Sequence, residues 1–236
     1  MREYFEKIYS ESENEFHELV EKNIKEENKM FIVTANPETL MIAEENSEFK
    51  RCLLDNNTVI VPDGIGVVKG MKMLKMKTEG TITGVELAKK IIQILNDESK
   101  SLYLFGAKDE VVNKLKEKIE KEYSNIKLAG VSDGYVKNRQ EVFDDIAQKQ
   151  PDAVLVALGI PYQELLIYEN LQRFNKGIFV GVGGSFDVLS GMKKRAPKFF
   201  IRFHLEWLYR ITTEPKRIGR FIKSNVRYLF VLIHER

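Results

Sequence analysis

The chain has 236 residues, 43% of them hydrophobic, which is enough to bury a substantial core and excludes a disordered or fibrous protein. Its net charge of +2 hides an asymmetry: from Lys193 to the end there are 12 Lys and Arg against three Glu, while the preceding residues hold 25 basic and 32 acidic groups. A single cysteine, Cys52 in an apolar FKRCLL pattern, excludes an internal disulfide and fits core packing in a reducing cytosol.

The opening MREYFEKIYSESENEF is too acidic and too interrupted to read as a signal peptide, and residues 1–29 carry no motif. Strand and helix patterns then alternate. MFIVT (30–34) precedes NPETLMIAEEN, where Asn36 and Pro37 suit an N-cap and first turn. TVIVP (58–62) leads into GIGVVKGMKML, and Thr83-Gly84 opens VELAKKIIQIL. SLYLFG (101–106) leads to a helix whose apolar face is Val111, Val112, Leu115 and Ile119. IKLAGVS (126–132), AVLVALG (153–159) and GIFVGVG (177–183) are each followed by a helical stretch. The alternation predicts an α/β, Rossmann-like fold: a mostly parallel sheet with helices on both faces, over residues 1–192. Residues 193–236 read instead as a basic, amphipathic helical appendage. Its longest apolar run, Tyr228 to Ile233, is far short of the roughly 20 residues of a membrane span. The expected location is cytoplasmic, peripheral on the inner face of the plasma membrane.

In such sheets ligands bind beyond the carboxyl ends of the strands. There lie Thr34 and Asn36, Asp63 and Gly64, Gly106, Gly159 to Gln163, and Gly181 to Ser185. Asp63 has two readings, a turn-forming carboxylate before Gly64 or a general base held at a strand end. Gly64-x-Gly66-x-x-x-Gly70 is a loosened dinucleotide fingerprint, but the nearest acid about 20 residues on, Glu86, falls within a predicted helix rather than after a strand. That weakens an NAD(P)-dependent oxidoreductase. Gly181, Gly183 and Gly184 could hold a diphosphate on free backbone N–H groups or serve close strand-to-helix packing. No Asp-x-Asp follows a strand, and His17, His204 and His234 are far apart, so no dedicated metal site is expected, though a Mg²⁺ shared with phosphates would leave no trace. In the tail, Arg217, Arg220, Ser224 and Arg227 recur at helical spacing beside Lys216 and Lys223, with Phe221, Tyr228, Leu229 and Leu232 as an apolar stripe. Such a helix suits an anionic membrane or a phosphate-bearing lipid; the alternatives are a helix that packs its stripe on the domain, and a peripheral membrane adaptor. Nucleic acid is not expected as a partner.

TANPETL (34–40), PDGIGVV (62–68), TGVEL (83–87), GIPYQE (159–164), GVGGSFDVLSGMKKRAP (181–197) and LEWLYRITTEPKR (205–217) closely resemble the WecG/TagA/CpsF family of bacterial glycosyltransferases. The resemblance implies transfer of N-acetylmannosamine from a UDP-sugar donor to the 4-hydroxyl of N-acetylglucosamine on undecaprenyl diphosphate, in wall teichoic acid linkage-unit synthesis. It implies inversion, no essential metal and no cofactor. UDP-N-acetylmannosaminuronic acid is the alternative donor, and a homo-oligomer stays open. On this resemblance Asp63 is the catalytic base, and Thr34, Asn36, Gly64 and Gln163 line the substrate pocket. Gly183, Gly184 and Ser185 lie near the nucleotide, and Arg217, Arg220 and Arg227 serve the leaving group or the lipid diphosphate. Two departures stand out: Gly80-Thr81 replaces the family's Glu-Arg, removing an arginine, and His204 replaces the glycine of Gly-Leu-Glu-Trp.

Overall fold

Each strand–helix alternation expected from the sequence forms in a computed structural model, which describes residues 1–203, 205–213 and 218–235. Two helices come first, α1 (Arg2–Lys7) and α2 (Glu13–Lys25). Then follow β1 (Lys29–Ala35), α3 (Pro37–Glu45), α4 (Ser47–Leu54), β2 (Thr58–Pro62), α5 (Ile65–Met73) and α6 (Gly84–Asp97). The second half runs β3 (Ser101–Gly106), α7 (Asp109–Glu122), β4 (Lys127–Ser132), α8 (Arg139–Lys149), β5 (Ala153–Ala157), α9 (Tyr162–Asn170), β6 (Gly177–Gly181) and α10 (Ser185–Leu189). Three helices close the chain: α11 (Lys198–Arg202), α12 (Glu206–Thr213) and α13 (Ile218–His234).

The strands form one parallel sheet in the order β2-β1-β6-β5-β3-β4. Alternate strand residues feed two apolar layers, as period-2 geometry requires when both faces are covered. Phe31, Val33, Phe105, Val154, Val156 and Phe179 face one layer, and Ile32, Leu104, Leu155, Ile178 and Val180 face the other. The first layer is closed by residues of α3, α4, α8 and α9, the second by α2, α6, α7 and α10. Helices therefore leave β1 and β6 toward opposite faces, and the neighbouring ends of those two strands open a crevice at the carboxyl edge. Cys52 is a free thiol buried in the first layer, as its sequence context suggested.

Sequence periodicity passed over two features. The N-terminal segment is structured: α2 buries Phe16, Val20 and Ile24, and Ser12 caps it reciprocally with Glu15. In the tail, α13 carries two apolar faces rather than one stripe. Ser224, Tyr228 and Leu232 are buried against the core, while Ile222, Val226, Leu229 and Ile233, spaced i, i+4, i+7 and i+11, are exposed on the opposite side. The residues read as a single stripe thus divide between faces: Leu229 turns outward, away from Tyr228 and Leu232. No helix among the described residues is long and apolar enough to cross a membrane.

Candidate active site at the carboxyl edge of the sheet

Parallel pairing of Ala35 with Pro62 puts Asn36 and Asp63 side by side just beyond the ends of β1 and β2. The Asp63 N–H donates to the Ala35 carbonyl at 2.8 Å, which pins the turn. Asp63 is half-buried. Gly64 follows at φ +90°, a conformation that favours glycine, and the space where its Cβ would stand is open. Asn36 caps α3: its Oδ1 accepts from the Thr39 N–H at 3.1 Å, and Thr39 returns the contact at 3.2 Å. The cap uses one lone pair of Oδ1, so a ligand can meet either the Asn36 Nδ2 donors or the other Oδ1 lone pair. A Cβ on Gly66 would stand 2.6 Å from the Pro37 ring, so the first turns of α3 and α5 touch and hold Asn36 and Asp63 in one place.

Across the crevice, Thr34 Oγ1 donates to the Gly181 carbonyl at 3.3 Å, tying β1 to β6 at the point where the helices diverge. Ser185, the first residue of α10, is buried, and the start of α6 at Gly84 lies against both the Thr34 and Ser185 hydroxyls. The β6–α10 loop through Gly183 and Gly184 turns directly into α10. Gln163 Oε1 accepts two backbone N–H bonds, from Gly159 and from Gly183, each at 3.1 Å. Thr34, Gln163, Gly183, Gly184 and Ser185 thus gather around the crevice, with Asn36, Asp63 and Gly64 on its β2 side. Ile82, next to Thr81, donates its N–H to the Pro62 carbonyl at 2.8 Å. Thr81 therefore stands beside the Asp63 turn.

The tail is placed differently. Arg227 forms an ion pair with Glu45. Glu45 ends α3, the helix that starts beside Asp63, so the pair lies on the order of 12 Å down that helix from its crevice end. Arg217 and His204 lie outside the described residues, as does the side chain of Arg220. Glu86, the acid weighed for a nicotinamide cofactor, lies in the first turn of α6 and pairs with Arg195. Among the described residues no group of three His, Cys, Asp or Glu side chains converges.

One residue of the quoted GIPYQE block gains a meaning that motif reading missed. Glu164 is 1% exposed and accepts a hydrogen bond from Gln163 Nε2 at 2.6 Å. Burial pushes its carboxyl up to about 7, against the opposing pull of the Gln163 bond and of a backbone N–H. The available signal was spacing: Glu164, Ile167 and Leu171 share one helical face, and the other two are apolar.

The chain's parallel sheet, glycine loops and strand-end carboxylate around the switch in helix direction define an α/β protein with a ligand crevice at the carboxyl edge. It belongs to the glycosyl transferase WecG/TagA/CpsF family, and the match spans residues 6–236, which takes in α2 and the end of α1. Its relatives include proteins named N-acetylglucosaminyldiphosphoundecaprenol N-acetyl-beta-D-mannosaminyltransferase. The one from Bacillus spizizenii is 43% identical over 206 residues, 87% of this chain and 80% of that protein. The Bacillus subtilis protein is 41% identical over 205 residues, with the same coverage, and that of Staphylococcus aureus is 37% identical over 194 residues, 82% of this chain and 76% of its own. Membership of this family replaces the oxidoreductase and adaptor alternatives.

Proposed function

We propose that the protein transfers N-acetylmannosamine from UDP-N-acetylmannosamine to the 4-hydroxyl of N-acetylglucosamine on undecaprenyl diphosphate, with inversion and without a metal. The observation that carries the reading is the meeting of Asn36, Asp63 and Gly64 with the Thr34–Gln163–Ser185 crevice in a chain whose relatives bear that activity in their names. In a single displacement the acceptor hydroxyl oxygen bonds to the sugar's anomeric carbon as the bond from that carbon to the UDP oxygen breaks. Asp63 takes the hydroxyl proton, and UDP leaves with the electron pair. A carboxylate repels phosphate, so Asp63 sits on the acceptor side, with the diphosphate near the β6–α10 loop; there the Gly183 and Ser185 N–H groups already serve Gln163 Oε1 and the Val182 carbonyl, which leaves the Gly184 N–H as the loop's donor to it.

Charge developing on UDP needs cations that the loop does not supply. Arg217 and Arg220 are assigned to that role from the sequence alone. Arg227, tied to Glu45, is an anchor of α13. The outer face of α13 and the separately exposed Phe199, Phe203 and Trp207 give the tail apolar area beside its many basic residues. That combination suits the surface of an anionic membrane, where the lipid acceptor resides. The direct test is a panel of UDP-sugars offered with a short-chain lipid-diphosphate acceptor and chelator, read by product mass. A product with UDP-N-acetylmannosamine supports the reading. Turnover only with the uronic acid donor, or only with added divalent ions, would correct it.

A further inference from the structure

The inner face of α9 runs Glu164, Ile167 and, one turn beyond, Leu171; Ile167 and Leu171 belong to the apolar layer under the sheet. A carboxyl therefore stands where packing alone asks for a hydrocarbon. Among the described residues no cation pairs with it: its Oε1 is bonded to the Gln163 amide and its Oε2 is buried with no hydrogen-bond partner. The elements around it offer little else. From α4 come the Cys52 thiol, which donates to the Glu164 backbone carbonyl at 3.8 Å, and, beyond that helix, Asp55, which accepts from the Tyr168 hydroxyl at 3.0 Å. β1 and β6 supply Phe31, Val33, Ala35 and Phe179 to the same layer, and Gly181 passes so close that a Cβ there would stand 2.8 Å from Glu164 Oε1.

The amide of Gln163 explains the carboxyl. Its oxygen is consumed by two backbone N–H groups, so its nitrogen can only donate, and flipping the amide would set N–H against N–H on both loops. Something must accept from Nε2, and Glu164 does. We propose that Glu164 is a positioning residue of the substrate pocket: by holding the Gln163 amide in its one satisfied orientation, it ties the loop after β5 to the glycine loop after β6. The tie spans two of the strand ends that flank the crevice, so its loosening would displace the loop assigned above to the UDP diphosphate. The consequence for catalysis rests on the transferase reading; the clamp itself does not. An ionised carboxylate accepts more strongly than a neutral one, so the clamp tightens as Glu164 loses its proton.

The test has two arms on the full-length chain. In the first, backbone ¹⁵N–¹H resonances of Gly159 and Gly183 are followed on either side of pH about 7, where Glu164 titrates. Both should shift together through that pH in the wild type and stay fixed in Glu164→Gln. Resonances that do not move, or that move equally in Glu164→Gln, would overturn the proposal whatever the reaction proves to be. The second arm is kinetic. Glu164→Ala should lower kcat/KM for the UDP-sugar on the order of 10²-fold through misplacement of the loop, and Glu164→Gln, whose side-chain oxygen can accept from Gln163, should restore most of it. Wild-type turnover in folded Glu164→Ala would refute the positioning role while leaving the transferase intact. A wild type that shows no transfer would remove the transferase reading and leave the clamp to the resonances.

Discussion

Replacing Tyr228 by alanine should release α13 from the core without unfolding the sheet. The ring is 2% exposed, packs edge-on to Phe5 at a centroid distance of 6.4 Å, and fills the notch left by Gly70, where any Cβ would overlap its hydroxyl. That hydroxyl donates to the Gly66 carbonyl at 3.2 Å. Truncating a buried aromatic to alanine costs about 3–5 kcal/mol. Two other contacts of α13 are smaller: burial of Leu232 contributes ~1.5–3 kcal/mol, and the half-exposed Arg227–Glu45 pair at most ~1 kcal/mol. Tyr228 is thus the largest of these contributions, and without it the helix should open as a local unit. Hydrogen exchange read by mass spectrometry is the assay. In Tyr228→Ala the amides of α13 should lose most of their protection while those of β1 and β6 keep theirs. Tyr228→Phe, which forfeits only one hydrogen bond of about 1 kcal/mol, should look nearly native. Unchanged protection in α13, or equal loss in the strands, would refute a helix docked chiefly through this side chain.

Asp63→Asn should lower turnover on the order of 10²- to 10⁴-fold and leave UDP binding and melting temperature near those of the wild type; near-native turnover would remove the base assignment. Changing Ile222, Val226 and Ile233 together to serine should weaken binding to anionic vesicles without altering hydrogen exchange in the core, since these side chains face outward. Vesicle binding that survives both this variant and high salt would contradict the membrane reading. Glu164 links pH to stability. Its folded value of about 7 lies above the ~4.3 of an unfolded glutamate, so its contribution is present below ~4.3 and is lost as pH rises through about 7. Glu164→Gln should therefore gain on the wild type by up to roughly 4 kcal/mol between acid and pH above 7, read from urea unfolding at the two pH values; a pH-independent difference would contradict the buried, raised carboxyl. Deep burial likewise pushes the phenols of Tyr4, Tyr103 and Tyr228 upward, so stability should fall as pH rises past ~10, where the unfolded phenols ionise first; a flat alkaline limb would contradict it.

The sheet was legible because its signals are local. Apolar runs such as MFIVT and AVLVA carry the mark of strands covered on both faces, and Asn36-Pro37 marks a helix start within the same few residues. Strand order was not legible, since β6 sits between β1 and β5 only by pairings distant in sequence. The tail shows the same limit. Its apolar residues were visible, but which of them face inward is decided by Gly70 and Phe5, far away in the chain. The helix α1 is too short to announce itself, and Tyr4 and Phe5 become interpretable only as core residues. At the site, strand-end logic located Thr34, Asp63, Gln163 and Ser185. It could not show that Gln163 joins two loops or that Glu164 lies beneath it, because hydrogen-bond direction is a property of the assembled pocket.

The most direct test is to isolate the product formed from UDP-N-acetylmannosamine and a soluble lipid-diphosphate N-acetylglucosamine acceptor, and to determine its linkage and anomeric configuration by NMR. The account predicts a single disaccharide joined at the acceptor's 4-hydroxyl, its new anomeric centre inverted relative to the donor, and its formation abolished in Asp63→Asn. A product of retained configuration would contradict single displacement with Asp63 as the base, as would a product formed equally well by Asp63→Asn.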